Sequence, residues 1–175
     1  MEDILKSIEL SLQNENWYSA LVLSLVLPDI CGKLQYPDKK SQKRYSEWFD
    51  KYFGEEYAEY LSGNDCYALR CSYLHEGSSS IEKQQAKEVL DHFIFLSSEA
   101  PHRSKISNCS FGSQKYDGKD ILQLSVIRFS QDMVDAARQW LGDVSVDQWT
   151  QKNIAEMLEI HEKGFSIGGL RFWTN

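Results

Sequence analysis

Arg70 and His75 are the side chains of this sequence whose types and spacing best suit chemistry on a phosphate. They stand five positions apart in Asn64-Asp65-Cys66-Tyr67-Ala68-Leu69-Arg70-Cys71-Ser72-Tyr73-Leu74-His75-Glu76-Gly77. An imidazole ordinarily titrates near neutral pH, so His75 can take the proton from a ribose 2′-hydroxyl or deliver one to a leaving 5′-oxygen. A guanidinium stays charged and offers a planar array of donors, so Arg70 can hold the phosphate and stabilise the charge of a pentacoordinate transition state. The chemistry is then metal-free RNA cleavage, leaving a 2′,3′-cyclic phosphate and a 5′-hydroxyl.

Five residues of ideal helix turn through roughly 500°, which sets two side chains roughly 140° apart. Convergence of Arg70 and His75 therefore requires His75 at or beyond the end of its helix, with Gly77 as the left-handed residue that closes it. The spacing also fits a purely structural role, with His75 at a helix C-terminus and Arg70 paired to Asp65 or Glu76. Cys71 and His75, four positions apart, leave a thiol–imidazole pair geometrically open.

The elements that must position these residues begin with an amphipathic helix over Glu2–Gln13, carrying Ile4, Leu5, Ile8 and Leu12 at helical spacing. Asn16 can cap a second helix from Trp17 to Leu34, apolar on nearly every face and so central, with a kink or break expected at Pro28. Asp29 beside that kink reads either as a cap for freed amides or as a catalytic carboxylate. A third helix, from Ser41 to about Phe53, carries the aromatic stripe Tyr45, Trp48, Phe49 and Tyr52. Near its start, Lys39, Lys40, Lys43 and Arg44 form the chain's basic cluster, either a solvated helix start or a contact to an RNA backbone. After a short helical turn over Glu55–Leu61, Asn64 or Asp65 caps the helix bearing Arg70. Ser79-Ser80-Ile81-Glu82 has the form of a capping box, predicting a long helix from Ile81 to Ser97. Residues 1–100 thus read as a helical bundle.

Residues 101–175 read as a small α+β extension packed on that bundle: a hairpin from Arg103–Gly112 and Asp120–Phe129, a helix over Gln131–Leu141 capped by Ser130, a helix over Val146–Lys163, and a terminal strand over Phe165–Trp173. The fold class expected is mainly α.

At 175 residues the chain is long enough for one domain with a substantial core, and a net charge of −7 argues against non-specific coating of nucleic acid. Cys31, Cys66, Cys71 and Cys109 lack C-x-x-C spacing and a His at zinc-ligand distance, so no metal site is expected, and with no P-loop or GxGxxG motif no cofactor is expected. With no secretory signal pattern and a longest apolar run, Ala20–Pro28, too short to cross a bilayer, a cytoplasmic protein without a membrane partner is expected.

The late-helix Arg-x4-His motif within a helical bundle of about a hundred residues resembles the HEPN superfamily of nucleotide- and RNA-handling domains. The segments Leu27-Pro28-Asp29-Ile30-Cys31-Gly32 and Tyr67 to Gly77 are further similar to bacterial and plasmid-borne HEPN proteins of the pEK499 type. The resemblance spans residues 1–100. It implies a HEPN-like antiparallel bundle, a homodimer in which Arg70 and His75 form a composite catalytic site, RNA as substrate, and a defence or toxin–antitoxin setting with a protein partner such as an antitoxin. Catalytic members usually carry Asn, Asp or His directly after the arginine, where this chain has Cys71; a thiol is a poor hydrogen-bond partner. The alternative is a non-catalytic HEPN-like module that binds a protein or a nucleotide.

Overall fold

The computed structural model describes residues 1–108, 110, 115–161, 164–167 and 169–172. The chain is mainly α, as its periodicity predicts, with a small sheet. Five helices come first: α1 (Glu2–Gln13), α2 (Trp17–Gln35), α3 (Ser41–Tyr52), α4 (Gly54–Tyr57) and α5 (Gly63–Glu76). Strands β1 (His92–Leu96), β2 (Ser104–Ile106) and β3 (Ile121–Ser125) follow, then α6 (Val126–Asp143), α7 (Gln148–Ala155) and a hairpin of β4 (Phe165–Ile167) and β5 (Leu170–Phe172). Cys109, Lys163 and Trp173, all used in the sequence reading, lie outside the described residues.

Helix α2 is the hub because it is apolar on every side, and it packs against α1, α3, α5, α6 and α7. It continues through Pro28 as one helix, so of the kink or break expected there a break does not occur. By length and mean hydropathy α2 would pass as a membrane span, but half of it is buried inside this fold and it carries the buried Asp29. The core beneath it joins Leu25, Leu27, Tyr45, Phe49, Leu69, Phe129, Met133 and Trp140. The Trp140 indole N–H donates to Gln35 Oε1 at 3.0 Å, tying α6 to the end of α2.

The helix predicted over Ile81–Ser97 is not formed. Residues 77–91 are irregular, and the chain enters β1 at His92. Ile81, Ala86, Leu90 and Phe93 are buried, but Val89, which helical spacing would place beside Ala86 and Phe93, is 51% exposed. The run His92-Phe93-Ile94-Phe95-Leu96 is dominated by aromatic and branched residues that favour a strand. The irregular segment is pinned instead: the Ile81 N–H donates to Asp91 O at 2.9 Å and the Phe93 N–H to Ser79 O at 3.0 Å.

β1 pairs in parallel with β3, and β2 pairs antiparallel with it, Ser104 opposite Gln123, giving the order β1-β3-β2. Packing therefore runs across residue 100. The expected strand over Asp120–Phe129 divides at Ser125, whose Oγ accepts the Arg128 N–H and caps α6 five residues ahead of the predicted Ser130 cap. The last predicted helix is shorter, Gln148–Ala155, capped by Asp147.

Gly63 marks the closest approach of α5 to α3. A Cβ built there would lie 2.6 Å from both the Cα and the carbonyl oxygen of Ser46 and 2.9 Å from Asp50 Oδ1, which already accepts the Gly63 N–H. Two of these atoms are backbone and cannot rotate away. Gly63→Ala is expected to destabilise the fold by about 1–3 kcal/mol through overpacking, measured by urea unfolding; a loss below 0.5 kcal/mol ~ within experimental scatter would show that α3 and α5 can separate freely.

Candidate functional site

Helix α5 is set at both ends. Ser62 Oγ accepts the Asp65 N–H at the N-terminus, so the cap lies two residues before Asn64 and three before Asp65, the caps expected. At the other end Gly77 adopts φ 63° and its N–H reaches Tyr73 O at 2.9 Å, the left-handed closure expected of it. His75 therefore falls inside the last helical turn, not beyond it. Within one chain Arg70 and His75 point roughly 140° apart and do not meet on one face.

Asp65 is occupied elsewhere. Its buried carboxylate accepts the backbone N–H groups of Glu88 at 2.7 Å, Val89 at 3.2 Å and Leu90 at 3.2 Å, fixing the irregular segment onto α5. It is thus not the partner of Arg70, and neither is Glu76, which accepts from Gln84.

The partner of Arg70 is Asp29. Arg70 Nε lies 2.7 Å from Asp29 Oδ2, with side-chain exposures of 22% and 11%. The N–H is not aligned well enough for a hydrogen bond, so the contact is one of charge, in surroundings where screening is weak. Asp29 Oδ1 accepts the Ser41 hydroxyl at 3.1 Å. Asp29 is therefore a junction between α2, α3 and α5 and not the amide cap expected beside Pro28. Gly32, one turn on, lets α3 come close: a Cβ there would sit 3.0 Å from Arg44 O. The Leu27–Gly32 run thus builds the contact that holds Arg70.

Only Nε of Arg70 is engaged. Nη1 and Nη2 make no hydrogen bond or ion pair among the described residues, and the side chain is partly open to solvent. His75 is exposed and likewise has no polar partner among them. Tyr67, one turn before Cys71, has its hydroxyl pKa pushed upward by burial, an effect tempered by the adjacent Ser41 hydroxyl and reinforced by the neighbouring Cys71 thiol. Cys71 is half-buried and free, and no hydrogen bond joins it to His75. The fully buried Cys66 thiol is pushed up to about 12 by burial and packs at 3.4 Å from the Tyr45 hydroxyl, an inert environment.

The predicted basic cluster sits at the N-terminal end of α3, the same end at which Ser41 reaches Asp29. Its charges are not equally available. Lys39 pairs with Glu47 at 2.6 Å and lies over the Tyr36 ring, Lys43 pairs with Glu47 at 3.8 Å, and Arg44 Nη1 donates to Lys39 O at 2.9 Å. Lys40 is exposed and has no partner among the described residues. Among those residues no three His, Cys, Asp or Glu side chains gather closely enough to hold a metal ion.

Sequence reasoning missed Asp29 and Ser41 as the supports of Arg70. Their separations in sequence carry no local signal, although Pro28 and Gly32 mark the place where helices pass closely. No family model, curated protein or solved structure matches this chain.

Proposed function

We propose that this chain is a HEPN-like metal-independent endoribonuclease that works as a homodimer. The observation that carries the reading is the state of Arg70: its Nε is held by Asp29 while its two terminal nitrogens make no hydrogen bond or ion pair among the described residues. An arginine held this way presents its donors to phosphate oxygens with little further ordering. Because His75 projects from another side of α5, one protomer does not bring both groups to one phosphate, and two facing α5 helices do. In that composite site Arg70 binds the phosphate. His75 removes the 2′-hydroxyl proton, the 2′-oxygen attacks phosphorus, and the P–O5′ bond breaks as the leaving 5′-oxygen takes a proton from the His75 imidazolium. Lys39, Lys40, Lys43 and Arg44, at the Arg70 end of α3, track the RNA backbone, Lys40 most directly.

A second reading is favoured by two specific observations, the Asp29 charge against Arg70 and the thiol of Cys71 at the position after it: a non-catalytic HEPN-like module whose α5 face binds a protein partner such as an antitoxin. Cleavage of mixed RNAs by purified protein in EDTA separates the two. Under the nuclease reading, Arg70→Ala and His75→Ala each lower the rate by about 100-fold or more, and wild type leaves 2′,3′-cyclic phosphate ends. Asp29→Asn, which retains an acceptor for Ser41, lowers the rate less than Arg70→Ala does. A folded dimeric wild type that leaves RNA intact, or three proteins that cleave equally, would decide for the binding module.

A further inference from the structure

Helix α2 leaves one side uncovered. At about 100° per residue, Tyr18, Val22, Val26 and Ile30 form a row that spans about 120° of the helix surface. Tyr18 is 76% exposed, and the other three are part-exposed and take no part, among the described residues, in the core that α2 joins through Leu21, Leu25 and Leu27. Leu23, which packs against that core, bounds the row on one side. Asp29, covered by Arg70, bounds it on the other. A contiguous apolar row left in water is stabilised by contact with another molecule.

The charges around the row point to its occupant. From Tyr18 to Ile30 the one charged residue is Asp29, which is 9% exposed and already spent on Arg70. Beyond one end stands Glu15, exposed and in no ion pair among the described residues. Beyond the other stands Lys33, on the same side of the helix, exposed and held by the carbonyl oxygen of Pro37 at 2.8 Å but by no carboxylate among those residues. The midpoint of the row is level with Ser24, nine residues from Glu15 and nine from Lys33. A second copy of α2 laid antiparallel about that midpoint therefore brings Glu15 of each chain toward the partner's Lys33, while Val22 meets the partner's Val26 and Tyr18 the partner's Ile30. One patch supplies both halves of every contact, as a twofold interface requires.

We propose that the Tyr18–Ile30 row is the seam of a homodimer, two α2 helices lying antiparallel across a twofold axis level with Ser24. A chain of net charge −7 can pair with itself here because the seam carries none of the acidic excess. Arg70 sits at the edge of the seam, over Asp29, and the same register places it beside the partner's Tyr18. Within its own chain Tyr18 neighbours Tyr73, whose hydroxyl pKa is raised by burial and then by the Tyr18 phenol. His75 lies two residues beyond Tyr73, so the seam carries Arg70 of one chain toward the turn of α5 that bears the partner's His75. This seam rests on the homodimer proposed above and not on its ribonuclease chemistry.

Sedimentation velocity of the full chain over a dilution series at physiological ionic strength tests this. Wild type is expected to be a dimer that dissociates on dilution. Val26→Glu, which sets a carboxylate from each chain into the seam, is expected to raise the dimer dissociation constant by about 100-fold or more, with helix content unchanged by circular dichroism. Glu15→Lys and Lys33→Glu are each expected to weaken the dimer by about twofold to fivefold, and the double variant to restore it, a rescue that misfolding would not produce. Backbone amide signals of wild type supply a measurement that needs no variant: dilution is expected to shift those of residues 18–30. A monomeric wild type, Val26→Glu dimers as tight as wild type, a double variant weaker than either single one, or dilution shifts confined to other surfaces would each overturn the seam. Dimers lost in Val26→Glu, when wild type leaves RNA intact, would uphold the seam and remove the nuclease. RNA cleavage by dimers indifferent to Val26→Glu would do the reverse.

Discussion

Replacing Asp65 by Ala is expected to remove about 3–5 kcal/mol of stability, a large share of the total for a marginally stable domain. The side chain is 2% exposed, and its two oxygens receive three backbone N–H groups from Glu88, Val89 and Leu90. Alanine removes the acceptor and leaves donors buried or half-buried, the Leu90 N–H among them, where water does not replace what was lost. The segment they belong to has no helix or ladder to fall back on, since residues 77–91 are irregular. A melting temperature lower by roughly 10 °C is expected, together with rapid hydrogen exchange at the amides of residues 88–90. Asp65→Asn, which keeps one acceptor oxygen and the shape, falls between. A loss under about 1 kcal/mol for the alanine variant would show that the segment re-pairs elsewhere.

Acid will destabilise the protein through His102. Burial, followed by the positive charges of Arg103 and Arg128, pulls its pKa from 6.5 down to about 4, against a smaller opposing pull from Glu56. An unfolded chain therefore takes up a proton near 6.5 that the folded chain refuses until about 4. Stability from this residue is complete above the unfolded value, is lost as pH falls between the two, and changes no further below the lower one. The span corresponds to roughly 3 kcal/mol in all and about 2 kcal/mol between pH 7 and 5. Asp132 acts in the opposite sense at the acid end: burial raises its pKa, so the folded state gains as pH falls through that raised value. Asp132 therefore offsets part of the loss that His102 causes, and does so at the acid end. Urea unfolding of wild type and His102→Gln at pH 7 and 5 isolates the effect. Parallel losses in both proteins would remove His102 from the account.

Which parts of this fold were legible follows from what each residue's neighbours are. Helices α1 and α3 bury faces whose period is written in consecutive turns, so Leu5, Ile8, Tyr45, Phe49 and their spacing were enough, while α2 was legible as a long, almost uniformly apolar run. Gly77 was legible for a different reason, because a left-handed closure demands a residue type. Residues 81–97 misled because Ile81, Ala86, Leu90 and Phe93 are buried by contacts from outside their own segment, including the Asp65 carboxylate reaching from 23 residues earlier for Glu88. Such a tertiary tether has no period. The parallel pairing of β1 with β3 is equally non-local, His92 lying opposite Ile121.

The α5 pair was legible as residue types but not as an arrangement. Arg70 and His75 are visible in the sequence, while the decision of what holds Arg70 rests on Asp29, brought there by the passage of α2 across α5. The hydrogen-bonded chain from His102 through Tyr57 to Asp132 lay further out of reach. Its members are drawn from α4, the β1–β2 connection and α6, and each taken alone is an ordinary polar residue.

The packing of α2 against α6 has a consequence for how the protein is made. Helix α2 leaves the ribosome about 90 residues before α6 begins. At ordinary elongation rates that interval is roughly 5–20 s. Throughout it, the apolar side of α2 that will meet α6 has no permanent cover from that helix.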